Sequence, residues 1–173
     1  MKKLLGVIFL IVTFASIVAF AQFGSSEKGK VVAVIDGNEI KLSDLTNYVD
    51  TLLGEKYKKM LETEDGIKQI ADYYITRKVI LDYAKETIKA DDKLLKSHSG
   101  GSTDKDTMLI TAVLKKEVQD KIEIEKDELE KFMKESQITD RTAALAKLEA
   151  MKRAEIFNKF ITELKGKHSI KFM

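Results

Sequence analysis

Cysteine, proline and tryptophan are all missing from this 173-residue chain, and histidine occurs only as His98 and His168. Without cysteine there is no disulfide, no thiolate metal site, no thiol nucleophile and no lipidated cysteine behind an export signal. Any core must therefore hold without covalent staples. Without proline, helices can run long and unkinked. The sequence also lacks G-x-S-x-G, H-E-x-x-H, a Walker loop and G-x-G-x-x-G, so none of the common short catalytic signatures is present. An excess of one charge is missing too: 30 Lys and Arg face 28 Asp and Glu. A dedicated nucleic-acid binder normally shows a basic surplus, so nucleic acid is not an expected partner.

What is present begins with an export signal. Lys2 and Lys3 precede an apolar run from Leu4 to Phe20 that only Gly6, Thr13 and Ser16 interrupt. Ala19-Phe20-Ala21 then places small residues where a signal peptidase reads them, which predicts a signal peptide over 1–21 cut before Gln22. The competing expectation is an uncleaved anchor, for which a run of about seventeen residues is at the short end of a membrane span. Either way the protein is expected to be exported, to the periplasm or cell envelope, touching membrane only through this segment if it stays. Loss of Lys2 and Lys3 leaves 28 basic and 28 acidic side chains on 152 residues. A chain of that size can bury roughly 70% of its unfolded surface. Its charges, 34% of all residues, are interleaved in sign and read as solvated helix faces.

Residues 22–30 form a Gly/Ser/Lys tether, and 31–173 are expected to form a single helical domain. Val31 to Ile35 is β-branched and continuous, Asp36-Gly37-Asn38 is a turn signal, and Glu39 to Leu42 alternates, which together predict a hairpin. Ser43 is the expected N-cap of a short helix carrying Leu45, Val49, Leu52 and Leu53 and ended by Gly54. A second helix is expected over about 65–88, with Ile67, Ile70, Tyr74, Leu81, Ala84 and Ile88 on one face and Tyr73, Val79 and Ile80 widening it. Residues 91–106 read as a loop, and a third helix over 107–121 turns Ile110, Val113, Leu114, Val118 and Ile122 inward. After the brief extended link Ile122-Glu123-Ile124, a short helix over 127–134 carries Leu129, Phe132 and Met133. The last helix starts at Thr139 or Asp140 and ends on Gly166 as a left-handed residue. Its stripe is Ala144, Leu148, Met151, Ala154, Phe157, Ile161 and Leu164, and at 1.5 Å per residue it spans roughly 39 Å. His168 to Phe172 alternates as a closing strand. A lone strand leaves its backbone groups unpaired, so this one is expected to return to the N-terminal hairpin. The fold class is thus mainly α: about five helices with a small antiparallel sheet formed by an N-terminal hairpin and the C-terminal strand.

The order of these pieces resembles the SurA/PrsA-type foldases. The segment from Val34 to Leu45 is similar to that family's opening: a strand, an Asn/Asp-Gly turn, an Ile, then Ser/Thr-x-Asp/Glu before a helix. Gln69 to Leu81 with the acidic linker Ala90-Asp91-Asp92, then Lys116 to Met133, and finally Lys152 to Leu164 with Ile170-Lys171-Phe172 resemble its later helices and closing strand. The resemblance covers nearly all of 31–173 and implies a fold like the SurA N-terminal or trigger-factor C-terminal domain. It departs from the family in three places. Only Lys134 to Thr139 stands where most members carry a parvulin isomerase domain, whose site uses paired histidines. The region 91–106 is shorter, and Glu125 replaces the usual Thr of the acidic cap.

The resemblance implies an ATP-independent extracytoplasmic chaperone that binds unfolded or nascent exported polypeptides in an apolar helical cradle. It implies no enzyme and no cofactor. Alternatives are an envelope assembly or structural protein with one dedicated partner and, less in keeping with the missing domain, a peptidyl-prolyl isomerase. His98 reads as a solvated loop residue and His168 as a strand or helix-end residue facing water. Asp91, Asp92 and Asp104 to Asp106 lack calcium-loop spacing and read as helix-end charges, so no metal site is expected. Large flexible or aromatic side chains exceed what one stripe per helix needs, and such side chains adapt to varied partners. The expected peptide-binding residues are Tyr73, Tyr74, Phe132, Met133, Met151, Phe157 and Phe160, each with ordinary core packing as its plainer role. Exchange of the closing strand between copies makes a strand-swapped homodimer a further expected partner state.

Overall fold

The computed structural model describes residues 29–89 and 104–173. The expected signal peptide, most of the tether, His98 and most of the 91–106 loop lie outside the described residues. The described chain is mainly helical with one three-stranded antiparallel sheet, as the sequence predicts.

Strand β1 (Val31–Ile35) and β2 (Asn38–Lys41) form the hairpin. Asp36 and Gly37 both take positive φ, 49° and 80°, the backbone that a two-residue type I′ turn requires. The pairing slips by one residue between Val31 and Ala33, and the extra residue lets Val32 and Ala33 both be buried. Strand β3 (Ile170–Phe172) pairs with the other edge of β1, so the first strand is central and the two chain ends are joined.

Helix α1 (Leu42–Tyr48) follows β2 without a gap. Its cap differs from expectation. Ser43 lies inside the first turn, while the Asp44 carboxylate accepts the backbone N–H of Lys41 at 2.8 Å. The helix loosens into a π-turn (Val49–Leu53) closed by Gly54 N–H donating to Val49 O at 2.7 Å. Gly54 ends it at φ 86°, as its sequence position predicts. A 3₁₀ helix, Glu55–Glu62, then lies against the start of α2 (Glu64–Thr87), a segment for which the sequence gives no clear period. The approach is close: a Cβ on Gly66 would stand 2.0 Å from the Met60 carbonyl oxygen. Thr63 caps α2 by accepting from Gly66 N–H at 3.1 Å.

Helix α2 is the centre of the molecule. It packs against β1, α1, the 3₁₀ segment, α3 (Lys105–Glu117) and α5 (Arg141–Lys165). With neighbours on several sides it buries Ile70, Ala71, Ile75, Val79, Ile80 and Ala84. Helix α3 starts two residues earlier than predicted, because Asp104 caps it by accepting Thr107 N–H at 3.2 Å. It also ends sooner, passing into a 3₁₀ turn at Gln119–Lys121.

Helix α4 (Lys126–Ser136) ends on Gln137 in the left-handed region, and α5 is capped by Asp140 Oδ1, which accepts from Thr142 and Ala143 N–H at 2.8 and 3.1 Å. Gly166 is not left-handed as expected. It keeps right-handed backbone, φ −63° and ψ −16°, and the last carbonyls are met by Lys167 and His168 N–H donating to Leu164 and Lys165 at 3.1 and 3.0 Å. A tightened final turn does what a left-handed cap would otherwise do.

Two apolar cores result. The larger unites the sheet, α1, α2, α3 and the C-terminal part of α5, with Ile35, Leu45, Val49, Ile70, Ile75, Val79 and Val113 fully buried. The smaller joins α4 to the N-terminal part of α5 through Leu129, Ala144 and Leu148, with Ile124, Phe132, Met133, Ile138 and Leu145 packed around them. Neither contains a fully buried polar residue.

Candidate functional site

The apolar stripe predicted on α5 is continuous in sequence but not in burial. Ala144 and Leu148 are covered by α4 at one end, and Phe160, Ile161 and Leu164 by the main core at the other. Between them Ala150, Met151 and Ala154 are exposed, and Phe157 is half-buried. The uncovered span faces α3 across an open cleft of about 660 Å³. Thr111, Leu114 and Lys115 of α3, with Val118 and Gln119 just beyond it, form one wall. Ala150, Arg153, Ala154 and Phe157 form the other. The cleft exists because α5 is long enough to reach two cores, while α3 meets it only lightly.

The expected binding residues are dispersed. Phe157 lines the cleft, and Met151, 52% exposed, stands one residue from the lining on the same helix. Phe132 and Met133 pack half-buried in the small core. Phe160 is 9% exposed and stacks edge-on against Tyr83 at 5.4 Å, so it serves the main core. Tyr74 is half-buried, edge-on to Tyr48 at 5.5 Å, and lines a separate groove of about 430 Å³ between α1 and α2. Tyr73, 45% exposed, points to solvent from α2. Of the small exposed residues along α5, the stripe read from sequence names Ala154 alone, and Ala150 beside it also lines the cleft. Ala143, Ala146, Ala150 and Ala154 are all exposed, at spacings of three, four and four. That helical period was the available signal, and it was submerged beneath the bulkier residues.

Polar contacts frame the cleft. Lys152 Nζ donates to Glu128 Oε2 at 2.6 Å and to the Glu123 carbonyl, pinning α5 to α4. Behind α3, Glu117 accepts from Lys121 Nζ at 2.5 Å and from the Tyr83 hydroxyl at 3.1 Å. The lysine, chiefly, holds the Glu117 carboxyl below its ordinary range, while burial pushes the Tyr83 hydroxyl up. Lys165 Nζ donates to Asp72 Oδ1 at 2.6 Å, fixing the far end of α5 to α2. These contacts hold the two walls at a set spacing without crossing the cleft.

His168 differs from its expected solvent-facing role. Its Nδ1 lies 2.6 Å from Asp36 Oδ2, and Ser169 N–H donates to Asp36 Oδ1 at 2.8 Å. The turn of the hairpin is thereby clasped by the start of the closing strand. The His168 hydrogen bond, first, and then the Ser169 N–H hold the Asp36 carboxyl below its ordinary range. Among the described residues no hydroxyl is bonded to the other ring nitrogen of His168, and no cluster of His, Asp and Glu is arranged to hold a metal ion. No helix among them is long and apolar enough to cross a membrane. A scan against protein-family models finds no match for this chain, and a search of curated proteins finds none either.

Proposed function

We propose that this protein is an extracytoplasmic, ATP-independent chaperone of the SurA type that holds unfolded or nascent exported polypeptides and performs no catalysis. The observation that carries the reading is the bare middle of α5. A helix stripe that is buried at both ends and open over Ala150 to Ala154 between them presents apolar surface to solvent, and such surface marks a place where another chain binds. Several features suit varied clients rather than one rigid ligand. The apolar part of the walls is alanine, leucine, valine and phenylalanine; Met151 on the rim is flexible. A cleft of this size takes a few side chains, which matches weak, sequence-tolerant contact.

The support from sequence is the order of hairpin, helices and closing strand, together with the leader-like residues 1–21. The joined chain ends add an expectation about assembly: β3 can pair with β1 of a second copy, giving a strand-exchanged dimer that size-exclusion chromatography with light scattering would detect. Function is tested by following aggregation of two unrelated denatured client proteins, without ATP, with and without the purified protein. Suppression of both at near-stoichiometric amounts is the expected result. Suppression of neither points instead to an envelope protein with one dedicated partner, to be sought by pull-down. Real turnover in a proline-isomerisation assay would overturn the non-enzymatic reading.

A further inference from the structure

The cleft carries more than apolar lining. Among the described residues that form it the only charged groups are Lys115 on α3 and Arg153 on α5, and none is acidic. The two differ in their engagement. Lys115 Nζ is held by Asp120 Oδ1 at 2.8 Å. Arg153 forms no ion pair among the described residues, even with Glu149 one helical turn before it. An exposed arginine with no ion pair among the described residues thus lines a cleft that is otherwise mostly apolar, and it is not at an end of the lining. It lies between Ala150 and Phe157, the limits of the α5 wall.

From this we infer that the cleft selects an extended apolar segment interrupted by an acidic side chain, with Arg153 as the residue that sets the preference. The inference rests on the polypeptide-binding reading above and names the class of segment bound. Charge complementarity identifies the occupant: a guanidinium takes a carboxylate in two parallel hydrogen bonds, and burial of neighbouring apolar groups strengthens them. The mid-wall position favours an aspartate or glutamate side chain within the segment over a chain terminus, which would need the cation at one end. The exposed alanines matter for reach. With only methyl groups at Ala150 and Ala154, the backbone of a bound segment can lie close to α5, bringing its acidic side chain beside Arg153 while apolar neighbours fill the space by Leu114 and Phe157.

The test uses a fluorescent, end-capped peptide with leucine and phenylalanine around one central glutamate, and its glutamine twin, titrated with the purified protein by fluorescence polarisation. The glutamate peptide should bind about fivefold tighter at low salt, an advantage that shrinks as salt screens the pair. Arg153→Gln should abolish the difference and leave the glutamine peptide within about twofold of its original affinity. Ala150→Glu, at an exposed position one helical turn from Arg153, should erase the preference by neutralising the guanidinium. Ala154→Trp should weaken both peptides by filling the space. Equal binding of the twins, or a preference that survives Arg153→Gln, would overturn the inference while client suppression left the chaperone reading standing. Binding that none of the three substitutions alters would place the site elsewhere and overturn it too. Failure of both peptides to bind together with failure to suppress client aggregation would remove both readings.

Discussion

The two cores share one helix and are held in different ways. Around α2 the main core closes from several sides: sheet, α1, the 3₁₀ segment, α3 and the end of α5 all deliver apolar side chains to it. Around the start of α5 there is only α4 and the link before it. Three residues are fully covered there, and the rest of the contact is half-buried. A two-helix unit cannot surround its own apolar residues, so polar pins take a larger share of holding it. Lys152, reaching both Glu128 and the Glu123 carbonyl, is the clearest of them. The main core should therefore open only with the whole protein, and the α4 arm should open locally at lower cost. The cleft lies at the junction, where one wall is anchored in the rigid core and the other continues into the looser arm.

The largest expected effect breaks the rigid side. Ile75 is fully buried in the middle of α2, and Ile75→Ala should cost about 2–5 kcal/mol and shift the denaturation midpoint of the entire chain. Gly66→Ala tests the same side differently, since the new methyl would meet the Met60 carbonyl. Displacing the 3₁₀ segment should cost on the order of 1–3 kcal/mol in chemical denaturation. On the other side, Leu148→Ala should cost about 2 kcal/mol. Its signature should be lost amide protection in α4 with α2 unchanged; equal loss in both would show that the two cores open together.

Lys152→Met removes the pin while keeping the apolar stem. With both partners partly exposed, about 0.5–1 kcal/mol is expected, read as faster exchange in α4 alone. The smallest effect concerns the clasp on the sheet. The Asp36 carboxyl is held below its unfolded value, so its contribution is present at neutral pH and is lost as pH falls below about 4 toward the lowered folded value. Asp36→Asn keeps a residue that tolerates the turn's positive φ, and it should flatten that part of the acid profile. Amide exchange of β3 followed from pH 6 to 3 would show it; an unchanged profile would leave the clasp without a role in tying the ends.

Much of the fold was legible because its elements are local and periodic. Asp36-Gly37 announces the hairpin since few residues accept that backbone, and the three- and four-residue spacings of α2 and α5 can serve only helices. The closing strand was placed on the hairpin by hydrogen-bond necessity, and β3 beside β1 bears that out. The 3₁₀ segment escaped, because its half-buried Tyr57, Met60 and Leu61 acquire a purpose only against the notch at Gly66. Tyr73 was placed on the widened apolar face and Ile75 was not, yet Tyr73 is exposed and Ile75 is sealed. Their difference comes from which neighbours crowd α2, and no window of sequence contains those neighbours.

The candidate site divides the same way. The sequence by itself determined that α5 carries an unbroken apolar stripe, because a helix repeats its face every 3.6 residues whatever surrounds it. Tertiary structure alone decided where that stripe is covered. Burial needs a partner surface at the right height along the helix, and α4 and the main core reach its two ends without meeting over Ala150 to Ala154.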